Sequence, residues 1–465
     1  MVFSSASFLF LFLPAVLILV YPLPRKFQNY ALLAFSIAFY LWGAGAHIWV
    51  IAAVSMMSWV LGWMVSRFKQ SSKLQYFAPM IILIALPLLI FKYVPVIGSA
   101  FDNSSSPAQL YLPLGISFFT FHAISYVIDI RRGEIEHSKN LSHYLLYLFL
   151  FPHQIAGPIV RFSEIVDEIK ARKRPTTPDI VYGISRFSWG LAKKTCIADN
   201  AGSVATAVWT NTGAVDTRSA WIGALAYAVQ IYFDFSAYSD MALGLARIFN
   251  FHFPENFASP YRSRSATEFW KRWHMTLSRW FRDYVYIPMG GNRHGKAREI
   301  AALLTTFGLT SLWHGATLPY LIWGGMWSGL LIIERFTGLR KAVRFSALRR
   351  TWMIFFIIFS WVPFRSLDTD SMMHMWRAMV VWTDESMNPD VVAALTPISI
   401  MAIAVGFLGF LIPQGMGSRL HDYIVLRADG APRLHIALPL GFACLLTGVI
   451  LSLWSSFSPF LYYQF

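Results

Sequence analysis

Long uncharged runs dominate the chain: Ala6 to Leu23, Phe27 to Ser66, Leu74 to Phe91, Pro107 to Ile128, Ile300 to Ile333, Val391 to Ser418 and Leu434 to Phe465. Crossing a bilayer as a helix takes about 20 apolar residues, because the hydrocarbon interior offers no water to bond the backbone. The pattern therefore predicts an all-α, polytopic integral membrane protein with about ten or more transmembrane helices. Two runs are too long for one span and must turn. Phe27 to Ser66 is expected to do so at Trp42-Gly43-Ala44-Gly45-Ala46, and Ile300 to Ile333 to form a hairpin.

Basic residues occupy alternate connections: Arg25/Lys26, then Arg67/Lys69/Lys73, then Arg131/Arg132/Lys139, with none around Gly43 or from Gly98 to Ser106. The positive-inside rule puts these connections in the cytoplasm and the N-terminus outside. Met1 to Leu23 lacks a basic leader and reads as a first anchor rather than a secretory signal. Connections Arg161 to Arg174 and Arg335 to Arg350 are also basic, so the segment Leu141 to Val160 has both flanks inside. It is expected to enter and return without crossing, around Phe151-Pro152-His153-Gln154 and Gly157-Pro158, which requires burial in protein or a cavity.

Composition agrees: 56% of residues are hydrophobic and 14% charged. The net charge of +15 lies mainly in these connections and reads as topology, so no nucleic-acid partner is expected. No repeat or soluble domain interrupts the spans, and residues 1–465 read as a single membrane domain. Its most polar connection, 247–299, carries Arg262, Arg264, Lys271, Arg272, Arg279, Arg282, Arg293, Lys296 and Arg298 against Glu255, Glu268, Asp283 and Glu299. It is expected at the cytoplasmic face, against membrane lipids. Within it Ser265-Ala266-Thr267-Glu268 has capping-box spacing. The helix predicted to follow bears Trp270, Trp273, Leu277, Trp280, Phe281 and Tyr284 on one stripe and ends at Pro288 and Gly290-Gly291. A tryptophan stripe backed by arginines suits an interfacial helix or a plug at a cavity mouth, and equally an ordinary packed helix.

Two cysteines, Cys196 and Cys444, exclude a disulfide framework. Cys196 follows Lys193 and Lys194, the setting of a low-pKa nucleophile, although a small apolar filler is the commoner reading. No His-Glu-x-x-His or Gly-x-Ser-x-Gly motif is present, and no metal is expected. In the Ile300 to Ile333 run His314 is the one acidic, basic or imidazole side chain, at the deep end of the expected hairpin. Burial there favours the uncharged ring, which can take a proton from a hydroxyl, whereas a core histidine bonded to a carbonyl is the alternative. His274 lies on the 247–299 segment. Asp234 and Asp240, in Tyr232-Phe233-Asp234-Phe235-Ser236-Ala237-Tyr238-Ser239-Asp240, read as a cavity lining or as a helix-end network.

At these residues a family resemblance emerges. Tyr232 to Asp240, Pro254-Glu255-Asn256-Phe257, Thr267 to Trp273, His274, Arg282-Asp283-Tyr284, Gly290-Gly291-Asn292-Arg293 and Leu312-Trp313-His314-Gly315-Ala316 resemble the membrane-bound O-acyltransferase family, in particular its bacterial branch for alginate and cellulose acetylation. The likeness covers essentially the whole chain; a C-terminal half shorter than in alginate members tilts toward cellulose. The resemblance implies re-entrant and interfacial helices around a central funnel, with catalytic His314 at its constriction and His274 orienting the donor or polarising its carbonyl. It also implies cytosolic acetyl-CoA as donor and a periplasmic acetyltransferase of the SGNH type, or other polysaccharide acetylation proteins, as partner. Trp313, Asn256, Tyr261, Arg272, Asp234 and Tyr238 are the expected substrate-binding residues. Rival expectations are a transporter or flippase of an acylated lipid or glycan, and a structural scaffold for secretion.

Overall fold

The computed structural model describes residues 2–68, 74–101, 112–338, 346–383, 386–412, 425, 432–454 and 460–461. Lys69, Lys73, residues 102–111 and the closing Tyr462 to Phe465, all used above, lie outside them. Helices and no strand are present among the described residues. Arg25–Arg67, Phe77–Pro95, Ser346–Arg365 and Leu434–Leu453 are long and apolar enough to cross a membrane, and Phe8–Val20 and Pro397–Phe410 are shorter apolar helices. Their apolar side chains point outward as well as inward. Along Leu434–Trp454, Leu438, Phe442, Leu446 and Ile450 form an exposed stripe at four-residue spacing. In water such a stripe is a liability; facing lipid it is the stable arrangement. The protein is a multi-pass membrane protein.

Two compact units are present. One comprises Met1–Phe187 and Met241–Pro254. In it, the Phe27 to Ser66 run turns where expected: helix Arg25–Ala44 ends, Gly45–His47 makes a single tight turn and Ile48–Arg67 returns. Gly45 takes φ 54°, a left-handed value that glycine adopts without the Cβ penalty. Helix Leu141–Phe149 is too short to cross, and residues 150–160 after it are irregular and buried throughout. That is the tolerated form of non-helical backbone at depth. His153 anchors it, bonding the Tyr147 carbonyl through Nε2 at 2.7 Å and stacking on Phe253 with ring centroids 5.0 Å apart.

The other unit comprises Ser188–Asp240 and Glu255–Leu461 and contains every residue named above as a candidate for the chemistry. The Ile300 to Ile333 run forms the expected hairpin, Lys296–His314 followed by Leu318–Phe336. Close approach of its arms rests on Gly324, where a Cβ would collide with Ser311 Oγ. Helix Ser346–Arg365 packs Trp361 and Phe364 against this hairpin.

Candidate active site

His314 is the last residue of helix Lys296–His314, directly before the turn at Gly315. The residue is 6% exposed, and its ring is enclosed by Trp313, Trp323 and Phe364 at centroid distances of 4.3, 5.4 and 4.7 Å, with Tyr320 at 6.2 Å. The turn beyond opens outward: Gly315 and Ala316 are half-buried and Thr317 is exposed. Gly315 matters to this geometry, because a Cβ there would lie 2.5 Å from the Tyr320 ring that stacks beside His314.

Where one amphipathic helix was expected from Trp270 to Tyr284, the chain forms three pieces: Ala266–Trp270, Met275–Phe281 and a wider turn Arg282–Tyr286. The break falls at His274, which adopts φ 41° and ψ 57°. A left-handed conformation is uncommon for a non-glycine residue and persists only where its surroundings impose it. Asn256 imposes it here. Its carbonyl accepts from Met275 N at 2.9 Å, and its Oδ1 accepts from Thr276 N at 3.3 Å and Thr276 Oγ1 at 2.9 Å. These bonds replace the helical ones that Met275 and Thr276 would otherwise make. Trp273, Leu277, Trp280, Phe281 and Tyr284 are buried, so the tryptophan stripe is packed into protein. The capping box is half formed: Ser265 Oγ accepts from Glu268 N at 3.0 Å, while Glu268 bonds Arg264 N and Arg272 instead of reaching back to Ser265.

Asn256 also settles which nitrogen of His274 carries the proton. The atom facing Thr276 N must be oxygen, since a backbone N–H only donates. That same oxygen lies 3.1 Å from His274 Nδ1, so Nδ1 is the protonated nitrogen and Nε2 keeps the lone pair. The amide nitrogen of Asn256 donates to Ser239 Oγ at 3.2 Å. Burial pushes the His274 imidazole down to about 3, so the ring is neutral at ordinary pH. In this form Nε2 accepts hydrogen bonds. Orienting a donor or receiving a proton fits that state, whereas donation to a carbonyl oxygen requires the protonated ring.

A ladder of rings joins the two histidine regions: His314 to Trp323, Trp323 to Trp361 at 6.3 Å, and Trp361 to Trp273 at 5.0 Å, next to His274. Tyr261 braces it by donating to the Ala228 carbonyl and accepting from Trp361 Nε1, both at 2.9 Å. Arg272 is paired with Glu268 at 2.5 Å. Asp234 and Asp240 lie in the middle of helix Thr217–Ile248, not at its end. Consecutive lysines meet them: Lys193 reaches Asp240 at 2.8 Å, and buried Lys194 reaches Asp234 at 2.6 Å and Asp199 at 2.7 Å. These lysines are thus committed to carboxylates, and burial raises the Cys196 thiol above its ordinary value, which fits the filler reading of that cysteine. The other oxygen of Asp234 accepts from Leu461 N at 2.7 Å, and the Tyr238 ring meets Phe460 edge-on at 5.0 Å. A cavity of about 500 Å³ lies beside the Lys193–Asp240 pair, lined by Trp189, Cys196, Tyr232, Phe233 and Leu408 among others.

Sequence reading missed Glu334. Its buried carboxylate accepts from Ala266 N at 2.6 Å and Thr267 N at 3.2 Å, capping the helix that leads to His274 with a charge on the hairpin that carries His314. A carboxylate closing a long apolar run is the signal that could have found it. No cluster of three or more potential metal ligands occurs among the described residues.

Taken together, these features define a multi-pass helical membrane protein with a buried imidazole centre. The family model described as MBOAT, membrane-bound O-acyltransferase family, matches residues 114–366. The chain belongs to this family and is an O-acyltransferase. It is similar to a probable alginate O-acetylase of Pseudomonas putida, 35% identical over 500 aligned residues that cover 100% of both chains. It is also similar to a peptidoglycan O-acetyltransferase of Helicobacter pylori, 35% identical over 58% of this chain and 57% of the relative. A teichoic acid D-alanyltransferase of Bacillus subtilis is 31% identical over 60% of this chain and 70% of its own. All three relatives carry names for acyl transfer.

Proposed function

We propose that this protein is a bacterial inner-membrane O-acetyltransferase, with its N-terminus periplasmic, that takes acetyl from cytosolic acetyl-CoA for hydroxyls of an exported polysaccharide. The observation that carries the reading is that His314 and His274 are both buried in one unit and joined by a ladder of rings, the second with its tautomer fixed by Asn256. Full-length likeness to a probable alginate O-acetylase supports the acetyl group and favours alginate or a related exopolysaccharide. Exposed Lys271 and Arg293 on the 247–299 segment suit a donor bearing phosphates.

In the proposed reaction His314 takes the proton of an acceptor hydroxyl as its oxygen attacks the thioester carbonyl. The carbon–sulfur bond then breaks, and the imidazolium returns the proton to the departing thiolate. His274 holds a donor or acceptor N–H or O–H group at Nε2. Trp313 and the ring ladder exclude water, so hydrolysis does not compete with transfer. The acceptor is a polymer hydroxyl or the serine of a periplasmic acetyltransferase of the SGNH type, which passes the group onward. Acetyl content of secreted polymer from a His314→Ala strain, measured with the protein verified in the membrane, tests this. Loss of acetyl with continued polymer export is expected. Unchanged acetylation would refute it and leave the transporter or scaffold reading.

A further inference from the structure

Far in sequence from both histidines, the first unit holds a second polar feature. Arg25, Lys26, Asn29, Tyr30, His143, Ile169, Lys170, Ala171, Arg172 and Lys173 surround a pocket of about 540 Å³. Five of these side chains are cations and none is a carboxylate. Arg25 and Lys26 open a 20-residue helix, whose N-terminal end already carries partial positive charge. Basic residues are disfavoured at that position unless an anion compensates them. The two walls are tied by Asn29 Nδ2, which donates to the Ile169 carbonyl at 2.8 Å, so the cations are held on a defined frame.

Arg172 is the informative member. Its guanidinium lies 4.5 Å from the Phe251 ring centroid, and its Nε and Nη1 are buried with no hydrogen-bond partner. The carboxylate one turn earlier, Glu168, is within electrostatic reach of Arg172 but accepts its hydrogen bonds from His252, from the ring Nδ1 at 2.6 Å and the backbone N at 3.0 Å. A half-buried guanidinium with two buried unmet donors, among four further cations and with a single nearby carboxylate, is stabilised by an anion with several acceptor oxygens. Arg25 is also the first residue of an apolar stretch long enough to span the membrane, which sets the pocket at the polar boundary of the bilayer.

We propose that this pocket binds a phosphate group, that of an anionic phospholipid head group at the membrane surface. The oxygens of a phosphodiester match the diverging donors of Arg172, Arg25 and the lysines, and Tyr30 offers an amphipathic ring at head-group level. A soluble phosphate compound would meet the same chemistry, and the test separates the two sources.

Full-length protein in neutral detergent is examined by native mass spectrometry with phosphatidylglycerol, with phosphatidylcholine, and with inorganic pyrophosphate. Wild type is expected to retain phosphatidylglycerol in preference to phosphatidylcholine. The variant Arg25→Gln/Lys26→Gln/Lys173→Gln, altered at exposed positions and checked for an unchanged melting profile, should bind it on the order of a hundredfold more weakly. Pyrophosphate that binds wild type, fails to bind the variant and displaces no lipid would keep the phosphate site but overturn the lipid assignment. Equal retention of both lipids, or equal phosphatidylglycerol binding by wild type and variant, overturns the proposal. Should the triple variant melt early, Lys173→Gln alone, with about a fivefold loss expected, decides between these outcomes.

Discussion

Asn256 offers the sharpest perturbation, because one side chain both breaks the helix at His274 and fixes its tautomer. In Asn256→Ala the buried Thr276 N–H and the His274 Nδ1–H lose their acceptor. Each unmet buried donor costs about 1–3 kcal/mol, so a loss of roughly 2–6 kcal/mol is expected, a large part of a typical folding margin. Asn256→Asp separates structure from chemistry. A carboxylate keeps both acceptors, and Ser239 can turn its hydroxyl to donate, so the hydrogen bonds survive and the stability cost is that of the buried charge alone. A charge about 4 Å from the imidazole, at an effective dielectric near 20, contributes about 4 kcal/mol or some three pKa units. That lifts His274 from about 3 toward roughly 6, because the nearby anion favours the protonated ring. Acetyl transfer in membrane vesicles, followed across pH, should then show an acid limb near pH 6 in Asn256→Asp that wild type lacks over the same range. Superimposable pH profiles in the two proteins, with normal amounts of each in the membrane, would refute the tautomer argument.

Lys194→Met leaves the carboxylates of Asp234 and Asp199 without their shared cation, which should cost about 3–5 kcal/mol and show as early melting in detergent. For Glu334→Gln, an amide replaces a carboxylate that caps the helix before His274; a stability loss of about 1–2 kcal/mol with a larger fall in transfer rate is expected, and a drop in melting temperature with an unchanged rate would contradict a positioning role. Gly315→Ala presses a methyl group into Tyr320 beside His314, so kcat for acetyl transfer should fall at least about tenfold while the protein still assembles; full activity would show that the ring can yield.

Elements set by run length alone were legible. The two overlong apolar runs had to fold back, and both do, with His314 ending the first arm of the second hairpin. The irregular stretch after Leu141–Phe149 was legible in its burial, which its polar and proline-glycine residues require within an apolar run. Elements set by distant partners were not legible. Trp270 to Tyr284 keeps the spacing of a continuous helix, and nothing within it announces a break, because the competing acceptors belong to Asn256 some eighteen residues earlier. Asp234 and Asp240 looked like a local network because their lysines lie 40 and 47 residues back.

These failures of local reading coincide with the parts of the second unit that hold the imidazoles. His274 is left-handed, Arg282–Tyr286 and Lys193–Ala198 are wider than an α-helix, and two lysines and three carboxylates are buried or half-buried as ion pairs. Each departure has a cost that local sequence preference would avoid, and widened helical turns concentrate at functional sites. A scaffold built for stability alone would replace the ion pairs with packed apolar side chains. The common effect here is geometric: the left-handed turn at His274 separates helix Met275–Phe281 from Ala266–Trp270, and Glu334 ties the start of Ala266–Trp270 to the hairpin bearing His314. On the proposed reading, the left-handed turn at His274 and the Glu334 cap are the features that hold the two rings' segments in place before any substrate arrives.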